Sequence, residues 1–113
     1  MCSQNELNIL MAKIAEIYRQ VYGENIFKIL LYGSYARGTQ DAESDIDVVA
    51  IVRGNRADLQ KKLREVWTLS SDLELEYETV LSPTVIPFDE YEEYREVLPY
   101  YRNIDREGVS IVA

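Results

Sequence analysis

Residues 26–52 read IFKILLYGSYARGTQDAESDIDVVAIV, and the two ends of this stretch decide the fold. Ile26 to Tyr32 is a short, mostly apolar run that stops at Gly33, and Asp45 to Val52 is a second one that opens on two aspartates. Apolar runs of this length, closed by a glycine turn, read as strands covered on both faces. The polar stretch 33–44 joins them. Two adjacent buried strands need helices to cover them, and the flanks supply helical periodicity on each side.

Upstream, Leu7, Leu10, Met11, Ile14, Ile17, Tyr18 and Val21 recur at the spacing of one helix face. Ser3 with Glu6 forms a capping-box pattern and Gly23 stands where a terminating glycine belongs, so a helix is expected over 4–22. Downstream, Gly54-Asn55 marks a turn, and Leu59, Leu63, Val66 and Trp67 fall at helical spacing, with Trp67 read as core and Lys61, Lys62 and Arg64 as a solvated face. From Leu73 to Leu81 the residues alternate with Glu74, Glu76, Glu78 and Val80, a period of two that reads as a strand. Ser82-Pro83 and Pro87 read as breaks, residues 89–97 as a short helix, and Pro99 as the start of another ending at Gly108. The expected class is α/β (α+β), one domain over 1–113 with a mixed sheet and helices packed on it.

Composition excludes several chemistries. The 113 residues contain no His, which removes Ser-His-Asp and Cys-His nucleophilic sites and imidazole-dependent zinc sites. The single cysteine, Cys2, cannot form an internal disulfide, in keeping with a reducing compartment. No run approaches ~18 apolar residues and the N-terminus lacks a signal-peptide pattern, so a cytoplasmic chain with no membrane partner is expected. A net charge of −8 argues against direct nucleic-acid binding, although a phosphate-bearing substrate is accommodated where metal ions supply positive charge.

The chemistry-bearing constellation is Gly33-Ser34, ten residues, then Asp45-Ile46-Asp47. Two aspartates two residues apart on a strand project from one face, with Cα atoms about 6.5–7 Å apart at ~3.3 Å rise per residue. Carboxylates leaning inward from that spacing can bridge two Mg²⁺ ions ~3.5–4 Å apart. Mg²⁺ takes oxygen ligands, commonly one or two carboxylates with water and substrate phosphate completing the shell. A glycine at the end of a strand lets backbone N–H groups approach phosphate oxygens, Ser34 adds a hydroxyl, and Arg37 adds a planar cationic fork suited to phosphate.

This pattern, in its fuller form GSYARG followed by SDIDV, resembles the signature of the polymerase-β-type nucleotidyltransferase superfamily, and the short chain and ARGT continuation are similar to its minimal nucleotidyltransferases. The resemblance is sharp over 26–53 and extends by element order over most of the chain. It implies Mg²⁺-dependent transfer of a nucleoside monophosphate from ATP to a hydroxyl, with two ions. Gly33 and Ser34 would hold the triphosphate, and Asp45 and Asp47 the metals. The family also uses a third carboxylate from a neighbouring strand. Glu74, Glu76 and Glu78 share one face of the expected strand, so parity does not choose among them. Glu78 is favoured because the acid of related chains tends to precede a short apolar run, here Val80-Leu81, and Glu76 comes second. Minimal members commonly serve as antitoxins that adenylylate a tyrosine of a helical HEPN ribonuclease toxin, which is the partner the resemblance implies. The alternatives are an antitoxin acting by contact alone and an antibiotic-type small-molecule nucleotidyltransferase. Tyr91, Tyr94, Tyr100 and Tyr101 form an aromatic C-terminal region open to either core packing or an interface.

Overall fold

The apolar stripe of residues 4–22 folds as the expected helix: α1 (Gln4–Tyr22) buries Leu7, Leu10, Met11, Ile14, Tyr18 and Tyr22 on one side. The computed structural model describes residues 4–38 and 45–111, leaving out the side chains of Ser34 and Arg37. Cys2 and the Ser3 half of the capping box therefore lie outside the described residues. Gly23 takes φ +62 directly after α1 and turns the chain into β1 (Ile26–Tyr32). There follow α2 (Ser34–Arg37), β2 (Ile46–Val52), α3 (Arg56–Tyr77), β3 (Leu81–Pro87), α4 (Phe88–Tyr94), α5 (Pro99–Glu107) and a two-residue β4 (Val109–Ser110).

The four strands form one mixed sheet in the order β3-β2-β1-β4. β1 runs antiparallel to both β2 and β4, whereas β2 and β3 are parallel and need α3 as their crossover. The apolar reading of both central strands follows from this, because β2 is covered on each face. Ile46, Val48, Ala50 and Val52 pack under α1 and α3, while Val49 and Ile51 face Tyr91 of α4 and Ile104 of α5. Within β2, Asp47 alone departs from full burial.

Two expectations are corrected. Residues 73–77 are helical, not the first half of a strand. Leu-Glu-Leu-Glu-Tyr satisfies a period of two for five residues, yet Leu59, Leu63, Val66, Ser70 and Leu73 form one continuous buried helical stripe, which Tyr77 extends. That stripe, made of strong helix formers on its outer side, outweighs the short alternation. The strand begins at Leu81 instead and contains both prolines. They are tolerated because β3 is an edge strand. The Leu81 N–H points away from β2 to the Glu74 carboxylate, and alternation gives Pro83 and Pro87 the same outward direction, where no ladder bond is lost. Trp67 is the second correction: it is half exposed, lying along the outside of α3 with its indole N–H donating to the Pro83 carbonyl at 2.9 Å.

Glu74 and Trp67 thus occupy outward-facing polar groups of β3 that would otherwise offer a pairing edge. Glu74→Ala leaves the Leu81 N–H without its carboxylate and is expected to lower stability by about 1–2 kcal/mol, with Glu74→Gln recovering most of it. Denaturant unfolding of the three chains checks this. Among the described residues no helix is long and apolar enough to cross a membrane.

Candidate functional site

The site is built where β1 ends against the start of β2. Tyr32 is the ladder partner of Asp47, so Gly33, one residue on, begins its turn beside that carboxylate. Gly33 has φ +74, and a Cβ placed on it would lie 2.4 Å from Asp47 Oδ2. Glycine is required here on two counts: the left-handed backbone and the space the carboxylate occupies. The turn is closed by the Ala36 N–H donating to the Gly33 carbonyl at 3.1 Å, which starts α2.

Asp45 precedes β2 and is exposed; Asp47 is half-buried. Alternation places both on the face of the sheet that α4 and α5 cover. Position is held by the strand: the Ile46 N–H donates to the Val80 carbonyl at 2.8 Å, and Asp47 stands level with Ser82 of β3. The expected pair is therefore brought together with the glycine turn. The side chains of Ser34 and Arg37 lie outside the described residues; their backbones form α2, directly after Gly33.

Among the described residues no three His, Cys, Asp or Glu side chains form a metal-holding group. Glu78 is not on a strand: it ends α3 in the left-handed conformation, φ 49 and ψ 50, with its N–H donating to the Glu74 carbonyl. Glu76 pairs with Lys13 at 3.7 Å, and Glu74 accepts the Leu81 N–H. On β3 the residues whose register sets them beside Asp47 and Val49 are Ser82 and Thr84, so hydroxyls stand where a carboxylate on a neighbouring strand was expected. The donor set fits Mg²⁺ as far as it goes. Two carboxylates against a glycine turn suit an ion whose other ligands are phosphate and water.

Tyr100 is the residue that sequence reasoning did not bring to the site. Its ring meets Tyr32 edge-on, centroids 6.4 Å apart, and its hydroxyl lies toward the Thr84 side chain, within the field of Asp47. Burial pushes the phenol pKa up, and the neighbouring Tyr32 and Asp47 add to that, against the opposing influence of the Thr84 hydroxyl. The placement of α5 that delivers Tyr100 is braced from two sides. Arg56 at the start of α3 pairs with Glu90 of α4, which accepts the Tyr101 hydroxyl at 3.0 Å, and the Tyr91 hydroxyl donates to Asp105. The Arg56 hydrogen bond holds the Glu90 carboxyl below the ordinary range. The sequence signals for Tyr100 were its aromatic neighbours and Pro99, which starts a helix without revealing which face meets the sheet.

Comparison with known proteins bears directly on this geometry. The model of the nucleotidyltransferase domain family matches residues 11–108. Two proteins of Methanocaldococcus jannaschii, whose names propose protein adenylyltransferases, are 35% identical over 63 residues and 32% identical over 62 residues. These alignments take in 53% and 55% of this chain, and 43% and 61% of the two relatives. The chain therefore spans about half the length of the curated relatives it matches. Among solved structures, a toxin-antitoxin complex with AMP-PNP superposes with a TM-score of 0.57 at 19% identity, over 91% of this chain and 73% of that one. A mutant toxin-antitoxin MntA-HpeT structure gives 0.56 at 17%, with the same coverage. At those identities the likeness is one of fold, and it agrees with the mixed sheet and helix order described above.

Proposed function

The chain belongs to the nucleotidyltransferase domain family, and from that premise we propose that it transfers AMP from ATP to a tyrosine hydroxyl of a helical HEPN-type toxin, as the antitoxin of the pair. The observation that carries this reading is the contact between the Gly33 turn and Asp47, the two halves of the expected nucleotide site pressed against each other. The names of the relatives and the toxin-antitoxin assemblies with the same fold favour a protein acceptor.

In this reading the backbone N–H groups after Gly33, with the Ser34 hydroxyl, take the triphosphate oxygens, and Arg37 adds a phosphate contact. Asp45 and Asp47 hold Mg²⁺, one or two ions, which supply the positive charge that the phosphates and the leaving pyrophosphate require. The acceptor oxygen forms a bond to the α-phosphorus, the bond from that phosphorus to the bridging oxygen of the β-phosphate breaks, and the hydroxyl proton passes to water. The chain's own contribution is positioning: a rigid strand holds Asp47, with Asp45 just before it, and a glycine turn fixes the phosphate site.

As placed, Glu78 ends α3 and forms no metal-holding group with Asp45 and Asp47. Glu78→Gln is accordingly expected to reduce transfer less than about tenfold, far below the effect of losing Asp47. A loss equal to that of Asp47→Asn would establish Glu78 as a ligand. The second reading, an antitoxin acting by contact alone, is favoured by Ser82 and Thr84 standing where a carboxylate was expected.

Intact mass spectrometry of the helical protein encoded beside this chain, after incubation with the chain, ATP and Mg²⁺, separates the two. A gain of one or more AMP units supports transfer. A stable complex without any gain supports contact alone.

A further inference from the structure

We propose that Tyr100 is itself an acceptor: the chain adenylylates its own Tyr100 hydroxyl in cis. The inference rests on the adenylyl-transfer reading and adds a modification site within the chain.

Three placements carry it. Tyr100 lies across β2, its ring against Tyr32 on the β1 side and its hydroxyl at Thr84 on the β3 side, with Asp47 on the strand between them. The glycine turn that takes the triphosphate follows Tyr32, and so lies on the β1 side of Asp47. An in-line displacement needs the attacking oxygen on the side of the phosphorus opposite the leaving group. A hydroxyl on the β3 side of Asp47 meets that requirement when the pyrophosphate lies toward the β1 turn.

The other tyrosine hydroxyls with assigned partners are committed elsewhere. Tyr18 donates to the Thr84 carbonyl and Tyr22 to the Leu59 carbonyl, both rings buried. Tyr91 and Tyr101 donate to Asp105 and Glu90. Tyr100 is 48% exposed, so its ring has room to move toward a bound nucleotide, while the brace through Arg56, Glu90 and Tyr101 keeps α5 over the site.

The step balances with ATP as the co-reactant. The Tyr100 oxygen bonds to the α-phosphorus, the α–β bridging bond breaks, pyrophosphate leaves with that electron pair, and the phenolic proton goes to water. The product places an AMP group over Asp47 and stops at one AMP per chain.

The test incubates the full chain with ATP and Mg²⁺, removes both, and reads the covalent mass and the modified peptide; wild type, Tyr100→Phe and Tyr94→Phe run in parallel. A companion sample contains the helical protein encoded beside the chain. The expected result is one AMP on Tyr100 in wild type and Tyr94→Phe, none in Tyr100→Phe, at a first-order rate unchanged over a tenfold dilution of the chain. A rate proportional to chain concentration overturns the cis assignment, and AMP mapped to another residue overturns the site. No AMP on the chain overturns the inference in either sample. If the helical protein is nevertheless labelled, the transfer reading stands without it; if that protein too is unlabelled, the reading fails as well.

Discussion

Asp47→Asn is expected to reduce AMP transfer on the order of 10³-fold while leaving the metal-free chain as stable as wild type or slightly more so. Asparagine keeps the shape that fits against Gly33, where a Cβ would lie 2.4 Å from Oδ2, so the turn and the β1–β2 register remain. What it removes is a charge. Metal-borne stabilisation of a transferring phosphoryl group is worth several kcal/mol, and each 1.36 kcal/mol is tenfold in rate. In the absence of metal, Asp45 and Asp47 on one face of a strand repel each other, a cost that the amide relieves. Transfer assays set beside melting curves with chelator present check both halves. A fall of many degrees in the metal-free melting temperature would show that Asp47 is a structural carboxylate, and the site assignment would go with it.

The parts of the fold that were legible are those in which one period runs long enough to exclude the other. Nineteen residues of helical stripe in α1 leave no room for a strand, and the seven-residue runs of β1 and β2 bounded by Gly33 and Gly54 leave none for a helix. Leu73 to Tyr77 satisfied both periods, and only the burial of the preceding α3 stripe resolves them. Pro83 and Pro87 read as breaks because the sequence does not say which strand lies at an edge. Trp67 was placed inside because it stands at helical spacing with Leu63; its indole N–H instead serves the outer edge of β3.

The same distinction divides the site. The placement of Gly33, Asp45 and Asp47 was readable since each sits at a strand end, where spacing alone fixes geometry. The placement of Glu78 was not, because it was expected on a strand and instead ends a helix. Tyr100 depends on how α5 is docked, and that docking is decided by Arg56, Glu90, Tyr91 and Asp105, residues distant in the chain whose pairing no local pattern announces.

Gly33→Ala is expected to lower stability and transfer together. At φ +74 a Cβ costs about 1–2 kcal/mol in backbone strain alone. Here it also meets Asp47 Oδ2 at 2.4 Å, so either the turn or the carboxylate must shift. Either shift would separate the N–H groups after Gly33, proposed to take phosphate, from the carboxylate proposed to hold metal, and a misplacement near 1 Å can cost about 10²-fold in rate. We therefore expect a loss of stability of about 2–3 kcal/mol and of transfer of about a hundredfold or more. Gly38 is the internal control. It shares φ +74, but a Cβ there has nothing within 4 Å, so Gly38→Ala should show the strain and little else. Denaturant midpoints and transfer rates for the two variants distinguish the effects. Equal losses in both would mean that backbone conformation, not the approach of Asp47, is what Gly33 provides.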